Sequence, residues 1–203
     1  MEIQQIEKSP ENIIKTIMTN TIKMLTNRKY LKSEDLEKNL DQYADKIKDD
    51  YVYVINTINN TVFVVKIITQ KITSINKQIT DFMSKYKNDH KILIVKDINP
   101  KTRSTILDTY NHVEIFIETF LLINIVDHEL QPKFELLSQI ELEEFNNIYN
   151  SSSIAKMYVN DPISIYYDYK VGDIIRIIRY SETAGTTISY RKVVKSRNKS
   201  KIF

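Results

Sequence analysis

Histidines and paired carboxylates are the side chains in this sequence best suited to proton transfer or metal binding. The three histidines, His90, His112 and His128, are scattered without the spacing of a metal-binding motif. The acidic pairs Asp49-Asp50 and Glu143-Glu144 are adjacent in sequence, so their side chains point apart on a helix or a strand. The chain has no cysteine, which excludes a thiolate ligand or nucleophile. These residue types predict structural and surface roles, with no catalytic residue and no metal site.

Nucleotide-binding loops are excluded because the chain has only two glycines, Gly172 and Gly185. Neither the phosphate-binding nor the dinucleotide-binding glycine motif occurs, and no serine lies in a nucleophile-elbow context. No apolar run approaches the roughly 20 residues that span a bilayer. The first residues lack the order of a secretory signal. We therefore expect no cofactor, no small-molecule substrate and no membrane partner.

Positive charge is concentrated near the C-terminus. The formal net charge of the chain is +3, whereas residues 171–203 carry eight lysines and arginines against two acidic residues. We interpret this segment as a solvated tail rather than a patch that follows phosphates. Lysine outnumbers arginine by 23 to 6, and isoleucine and asparagine are abundant, which indicates an AT-rich genome.

The first 130 residues alternate between helical and strand patterns. The predicted order is helix, helix, strand, strand, helix, strand, helix, strand, which is typical of helices packed on a sheet. Its local signals are helix starts at Ser9-Pro10, Ser33 and Asn99-Pro100, a hairpin turn at Asn59-Asn60, and helical spacing over residues 71–87.

The last third has a different texture. Ser138 and Glu141 form a capping box, and Asp161-Pro162 and Gly172 mark turns between short β-rich pieces. Gly185 stands between two strand-like runs, where it allows a bend at backbone angles that other residues reach only at a cost. We place a boundary between an N-terminal domain, residues 1–130, and a C-terminal domain, residues 131–203.

These turn residues, taken as a set, resemble the C-terminal module of one family. Residues 161–194 are similar to the fifth subunit shared by the eukaryotic nuclear RNA polymerases, whose archaeal counterpart consists of this module. The matching pieces are Asp161-Pro162, Lys170, Gly172, Ile177-Ile178-Arg179, Ser181-Glu182-Thr183-Ala184-Gly185 and Tyr190-Arg191. Residues 123–134, INIVDHELQPKF, look like the opening of this module.

The upstream sequence resembles the N-terminal jaw domain of the eukaryotic form, which the archaeal counterpart lacks. The resemblance is carried by NRKYLKSEDL, by residues 75–106 and by IFIETFLLINI. It implies an α/β jaw domain of restriction-nuclease-like, non-catalytic fold, plus a small α+β C-terminal module. Such nucleases need an acidic residue two positions before a lysine, where this chain has Val64 before Lys66.

The sequence also departs from the family pattern. The usual Leu-Pro-Arg-Ile before Asp-Pro is Ile154-Ala155-Lys156-Met157, and Asp168 stands near a usual glycine. Tyr180 replaces a proline, and Thr186 replaces an arginine. This divergence, with the AT-rich bias, indicates a large cytoplasmic DNA virus, with an AT-rich protist as the alternative source.

The resemblance implies two contact sites. Its C-terminal module docks on the largest polymerase subunit, and the expected interface residues are Asp161, Pro162, Arg179, Ser181, Glu182, Thr183, Ala184, Gly185, Tyr190 and Arg191. Its jaw approaches downstream double-stranded DNA through a loop and helix start whose expected contacts are Asn99, Pro100, Lys101, Thr102 and Arg103. Turn chemistry and an ordinary strand-to-helix loop are the alternative interpretations of these two segments.

We therefore predict a non-catalytic subunit of a multisubunit DNA-directed RNA polymerase, whose active site lies in other chains. Its expected partners are the largest subunit, the other polymerase subunits and downstream duplex. Its expected location is intracellular: a viral factory or the virion for a virus, and the nucleus for a cell. The alternatives are a free-standing DNA-binding protein on a degenerate nuclease fold and a mimic that docks on a host polymerase.

Overall fold

The computed structural model describes residues 9–44, 50–149, 153–181 and 185–195. The chain divides into two compact units, Met1–Asn124 and Ile125–Phe203, here called unit 1 and unit 2. This division falls shortly before the predicted boundary between residues 130 and 131. No helix in the described ranges is long and apolar enough to cross a membrane.

Unit 1 follows the predicted alternation of helices and strands. Its elements are α1 (Pro10–Asn27), a 3₁₀ turn (Ser33–Asp35), α2 (Leu36–Asn39), a π-helical turn (Leu40–Ala44), β1 (Val52–Asn56), β2 (Val62–Ile72), α3 (Lys77–Lys85), β3 (His90–Ile98), α4 (Pro100–Thr109), β4 (Val113–Ile117) and α5 (Glu118–Leu122). Asn60, in the turn between β1 and β2, has a φ of 58°, which asparagine tolerates better than most residues.

The four strands of unit 1 form one sheet in the order β1-β2-β3-β4. β1 and β2 are antiparallel, whereas β2–β3 and β3–β4 are parallel pairs joined by α3 and α4. One face of the sheet packs against residues of α3 and α4, including Phe82 and Ile106. The alternate residues Val65 and Ile92 are equally buried on the other face, as expected of a sheet covered on both sides.

Two helical segments of unit 1 differ from the predicted ones. The helix predicted to start at Ser33 is divided into a 3₁₀ turn, the short α2 and a π-helical turn, and residues 45–49 lie outside the described ranges. The helical spacing over residues 71–87 corresponds to a helix only from Lys77 to Lys85. Residues 71 and 72 belong to β2 because that strand continues its parallel pairing with β3 as far as Ile98.

Unit 2 is a second mixed α and β structure. Its elements are a 3₁₀ turn (Ile125–Asp127), β5 (Lys133–Leu136), α6 (Gln139–Ile148), β6 (Ala155–Tyr158), α7 (Pro162–Tyr167), β7 (Ile174–Ser181) and β8 (Gly185–Val194). Its sheet has the order β5-β7-β8-β6. The predicted capping box of Ser138 and Glu141 is confirmed, and it opens α6.

Helices cover both faces of the unit 2 sheet. One face carries a core that includes Met157, Ile177 and Val193 and packs against Ile163 of α7. The opposite face packs Ile174 against Phe145 of α6. The distal ends of β7 and β8 extend as a hairpin whose side chains are largely exposed.

Candidate subunit interface and nucleic-acid interface

Among the described residues, the β7–β8 hairpin carries five of the predicted interface residues: Arg179, Ser181, Gly185, Tyr190 and Arg191. The two strands are antiparallel, with Ser181 opposite Gly185 at the distal end. Gly185 has a φ of 71°, in the left-handed region that glycine reaches without the steric cost of a Cβ atom. The predicted role of this glycine in the bend is therefore confirmed. Glu182, Thr183 and Ala184, and the side chain of Ser181, lie outside the described residues.

An open cavity of about 340 Å³ lies on the face of the unit 2 sheet that packs against α7. Four of the predicted interface residues line it: Asp161, Pro162, Arg179 and Arg191. Its other lining residues are Ile125, Gln131, Phe134, Met157, Ile163 and Ile177. We call this feature the arginine cavity. Residues that are separate in the sequence therefore line one concave surface.

Asp161 and Pro162 shape the wall of this cavity by starting α7. The Asp161 Oδ1 atom accepts a hydrogen bond of 3.0 Å from the backbone N–H of Ile163. Pro162 occupies the first turn of the helix, where a missing N–H has no cost. The Asp161 carboxylate therefore caps α7, at the position where the sequence indicated a turn.

The two arginines of the cavity, Arg179 of β7 and Arg191 of β8, differ from Arg176, which also lies on β7. The Arg176 guanidinium lies 2.8 Å from a Glu135 oxygen and 2.9 Å from a Glu141 oxygen. Hydrogen bonds from Lys133 and then Arg176 lower the pKa of Glu135. Arg179 and Arg191 have no ion-pair partner among the residues that the structure describes. A guanidinium group can donate two parallel hydrogen bonds to a carboxylate.

Tyr190, another predicted interface residue, lies on the opposite face of the sheet from the arginine cavity. Its ring centroid is 4.8 Å from that of Phe145 and 5.9 Å from that of Tyr149. It contributes to the core beneath α6. The structure thus separates Tyr190 from Arg191, its neighbour in the sequence, by the alternation of side chains along a strand.

Sequence reasoning missed the apolar floor of the cavity. Phe134, Met157 and Ile177 come from three different strands, and Gln131 precedes the first of these strands. Gln131 and Phe134 belong to the INIVDHELQPKF segment, which carried part of the resemblance. Their convergence depends on the pairing of β5 with β7, for which the sequence had no local signal.

The predicted DNA-contact segment lies at the start of α4 in unit 1. The Asn99 side chain accepts a hydrogen bond of 3.0 Å from the Lys101 N–H, and Pro100 begins the helix. The Thr102 hydroxyl donates to the Thr73 carbonyl at 2.7 Å, and Arg103 donates to the Ile115 carbonyl at 3.0 Å. Burial lowers the pKa of Arg103. Lys101 is exposed, so the two predicted cations occupy different environments.

The position compared with nuclease active sites is buried in β2. Val64 is fully buried, and the Lys66 ammonium lies 5.7 Å from the centroid of the Phe82 ring. Burial lowers the pKa of Lys66, and the charge of Asp50 partly offsets this shift. Among the described residues, no group of three His, Cys, Asp or Glu side chains could hold a metal ion.

Two of the three histidines lie together, which their sequence spacing did not indicate. The ring centroids of His90 and His112 are 4.9 Å apart, and His90 also lies 5.1 Å from Phe63. The contact follows from the parallel pairing of β3 and β4, which brings the starts of these strands together. Phe63 also contacts Tyr30, so the rings of these residues form a continuous row.

Known proteins resemble this chain over most of its length. The family model for the C-terminal domain of RNA polymerase Rpb5 matches residues 123–193. The DNA-directed RNA polymerase subunit 5 of Acanthamoeba polyphaga mimivirus is 39% identical over 201 residues, covering 95% of this chain and 97% of the relative.

Cellular relatives show the same relationship. The rpabc1 subunit of DNA-directed RNA polymerases I, II and III of Dictyostelium discoideum is 29% identical, covering 90% of this chain and 98% of the relative. The Rpo5 subunit of Methanocaldococcus jannaschii is 41% identical over 73 residues, covering 35% of this chain and 94% of the relative.

The lengths of these matches distinguish the two forms of the family. The archaeal relative corresponds to about a third of this chain, whereas the mimivirus and Dictyostelium relatives match nearly all of it. The predicted eukaryote-like form is therefore confirmed, and the mimivirus relative supports the predicted viral source. The chain belongs to the RNA polymerase Rpb5 family and is a non-catalytic subunit of a multisubunit DNA-directed RNA polymerase.

Proposed function

We propose that unit 2 docks this subunit on the largest polymerase subunit through the arginine cavity. The observation that carries the proposal is that Asp161, Pro162, Arg179 and Arg191 line one cavity. The proposal also includes the remaining expected interface residues, Ser181, Glu182, Thr183, Ala184, Gly185 and Tyr190, as contacts with the same partner.

The chemistry of the cavity supports a protein partner. Apolar residues from three strands form its floor, and two arginines without an ion-pair partner among the described residues lie at its wall. An apolar anchor beside a carboxylate would satisfy both parts of this surface. Arginine suits such a site because its planar guanidinium can bind a carboxylate through two parallel hydrogen bonds.

Charge reversal at Arg191 tests the docking proposal. Arg191→Glu should reduce recovery of the largest subunit at least about tenfold when the polymerase is purified through this chain, because a carboxylate would then oppose the partner's carboxylate. Lys156→Glu is the matched control, since Lys156 lies on β6, next to β8, and is exposed. Equal recovery of the largest subunit with both variants would show that the arginine cavity is not part of the interface.

We propose that unit 1 is the jaw that holds downstream duplex, on a restriction-nuclease-like fold without catalysis. Lys101 and the capped start of α4, Asn99 and Pro100, would meet a phosphate. Thr102 and Arg103 would support this contact by fixing α4 to Thr73 and Ile115. Such contacts position the protein on DNA without reading its sequence.

RNA synthesis would then occur in other chains, in a viral factory or the virion for a viral polymerase. The identity of the co-purified largest subunit separates this assembly from mimicry. A largest subunit encoded by the same genome as this chain is expected. Co-purification of the host's own largest subunit would instead indicate a mimic that docks on the host enzyme.

A further inference from the structure

The outer edge of β8 is only partly paired. The short strand β6 pairs with β8 between Arg191 and Val194. Among the described residues, the remaining part of β8, residues 185–190, pairs with β7 alone. We call this stretch the β8 edge. An unpaired edge of this kind is a template on which a further strand can add.

Hydrogen bonds near the base of the hairpin show which groups point to the β8 edge. The Val193 N–H donates to the Asp173 carbonyl on the β7 side, at 2.8 Å. The Val194 carbonyl accepts from the Val159 N–H on the β6 side, at 2.9 Å. Because these directions alternate along a strand, the N–H and C=O groups of Thr186 and Ile188 point outward.

The side chains around this edge differ between the two faces of the sheet. On one face lie Arg191 and Arg179, which line the arginine cavity. On the other face Ile188 is 53% exposed and Tyr180 is 93% exposed. The described residues of β7 and β8 include no aspartate or glutamate. Residues 185–190 carry no charge themselves, but Arg179 and Arg191 lie near one face of the edge and exposed apolar side chains lie on the other.

We propose that the β8 edge binds an extended acidic segment of a partner polymerase chain, which adds to the sheet as a fifth strand. This inference rests on the proposed docking of unit 2 and specifies how the partner is held. Outward groups of Thr186 and Ile188 bond the backbone of the segment. Its alternate side chains are carboxylates facing Arg191 and apolar groups facing Ile188, since successive residues of a strand face opposite sides.

Charge favours this occupant over a second copy of the chain. Two β8 edges brought together would also bring together Arg179 and Arg191 of both copies, with no carboxylate among the described residues of β7 or β8 to pair with them. Opposite charges on neighbouring strands stabilise a sheet, whereas like charges destabilise it. An acidic segment therefore matches the edge, and self-association does not.

Hydrogen exchange on the free chain and on the assembled polymerase tests the strand addition. The amides of Thr186 and Ile188 should exchange rapidly in the free chain and at least about a hundredfold more slowly in the polymerase, because the added strand occupies them. The amides of Thr187 and Ser189 face β7 and should be protected in both. Unchanged exchange at Thr186 and Ile188 on assembly would overturn the inference.

A pair of substitutions at Ile188 separates backbone from side-chain effects. Ile188→Pro removes an N–H that points outward, whereas Ile188→Ala keeps this N–H and only shortens the side chain. The proline variant should therefore lose at least about tenfold more recovery of the polymerase than the alanine variant. Protection of the Thr187 amide shows whether the hairpin of each variant still forms. If the hairpin of a variant does not form, the hydrogen-exchange experiment on the wild-type chain decides whether a strand is added.

The outcomes distinguish the two proposals. If the wild-type chain fails to recover polymerase subunits, the docking proposal itself fails. If all three chains recover them equally, docking stands and strand addition fails. Dimerisation of the free chain that Ile188→Pro abolishes would assign the edge to a second copy and would also overturn the inference.

Discussion

The start of α4 in unit 1 and the β7–β8 hairpin in unit 2 both carry predicted contact residues, but they use their polar side chains differently. At α4, Thr102 and Arg103 form hydrogen bonds to backbone carbonyls of Thr73 and Ile115. On the hairpin, Arg179 and Arg191 face a cavity, without an ion-pair partner among the described residues.

Residue type alone therefore does not identify a contact residue. Arginine suits phosphate binding at position 103 and carboxylate binding at position 191 equally well. What separates the two is whether the fold already provides an acceptor. At α4 it does, so Lys101 is the cation on that segment that remains exposed to a partner.

We expect the largest effect on the free energy of unfolding where an arginine of unit 1 already has an internal ion-pair partner. Arg28 is 2% exposed and forms two hydrogen bonds, of 3.0 and 2.8 Å, with the Glu114 carboxylate. Arg28→Met should lower the free energy of unfolding by about 3–5 kcal/mol, because it leaves the partner charge without its counterion in a partly buried site. Arg179→Met, at an exposed arginine, should change it by less than about 0.5 kcal/mol. Urea denaturation measures the free energy of unfolding of both variants. Equal losses would show that the paired arginine and the exposed arginine contribute equally to stability.

A smaller effect compares the two predicted contact arginines directly. Arg103→Ala should lower the free energy of unfolding by about 1.5–3 kcal/mol, because it removes a charged donor from a part-buried carbonyl. Arg191→Ala should leave stability within about 0.5 kcal/mol of the wild type while reducing recovery of the largest subunit. Denaturation and purification through the tagged chain check the two halves. An Arg103→Ala chain of wild-type stability would make Arg103 an available cation again.

The smallest expected effect concerns the exposed lysine of α4. Lys101→Gln should reduce the salt dependence of DNA retention by the assembled polymerase by about one counterion, since one phosphate contact contributes a slope of about 0.9. Stability and subunit composition should not change. Lys38→Gln, at an exposed lysine of α2, is the control. Identical slopes for both variants would exclude Lys101 from the DNA interface.

Local features of the fold could be predicted because neighbouring residues determine them. The caps at Ser9, Asn99, Ser138 and Asp161 each accept a backbone N–H two or three residues ahead. The bend at Gly185 follows from its freedom at positive φ. Asp168, which stands near a usual family glycine, has a φ of 57° and so takes the left-handed conformation itself.

Features set by distant contacts could not be predicted. The arginine cavity needs β5 to pair with β7, and the hydrogen bond of Arg103 needs β4 beneath α4. The spacing of residues along the sequence gives no signal for these contacts, because the partners come from different helices and strands.

A structure of the native polymerase bound to downstream duplex would show whether this subunit docks through the arginine cavity. We predict that the arginine cavity is buried against the largest subunit, with carboxylates of that chain bonded to Arg179 and Arg191. A polymerase in which this cavity faces solvent, or in which another chain fills it, would contradict the account.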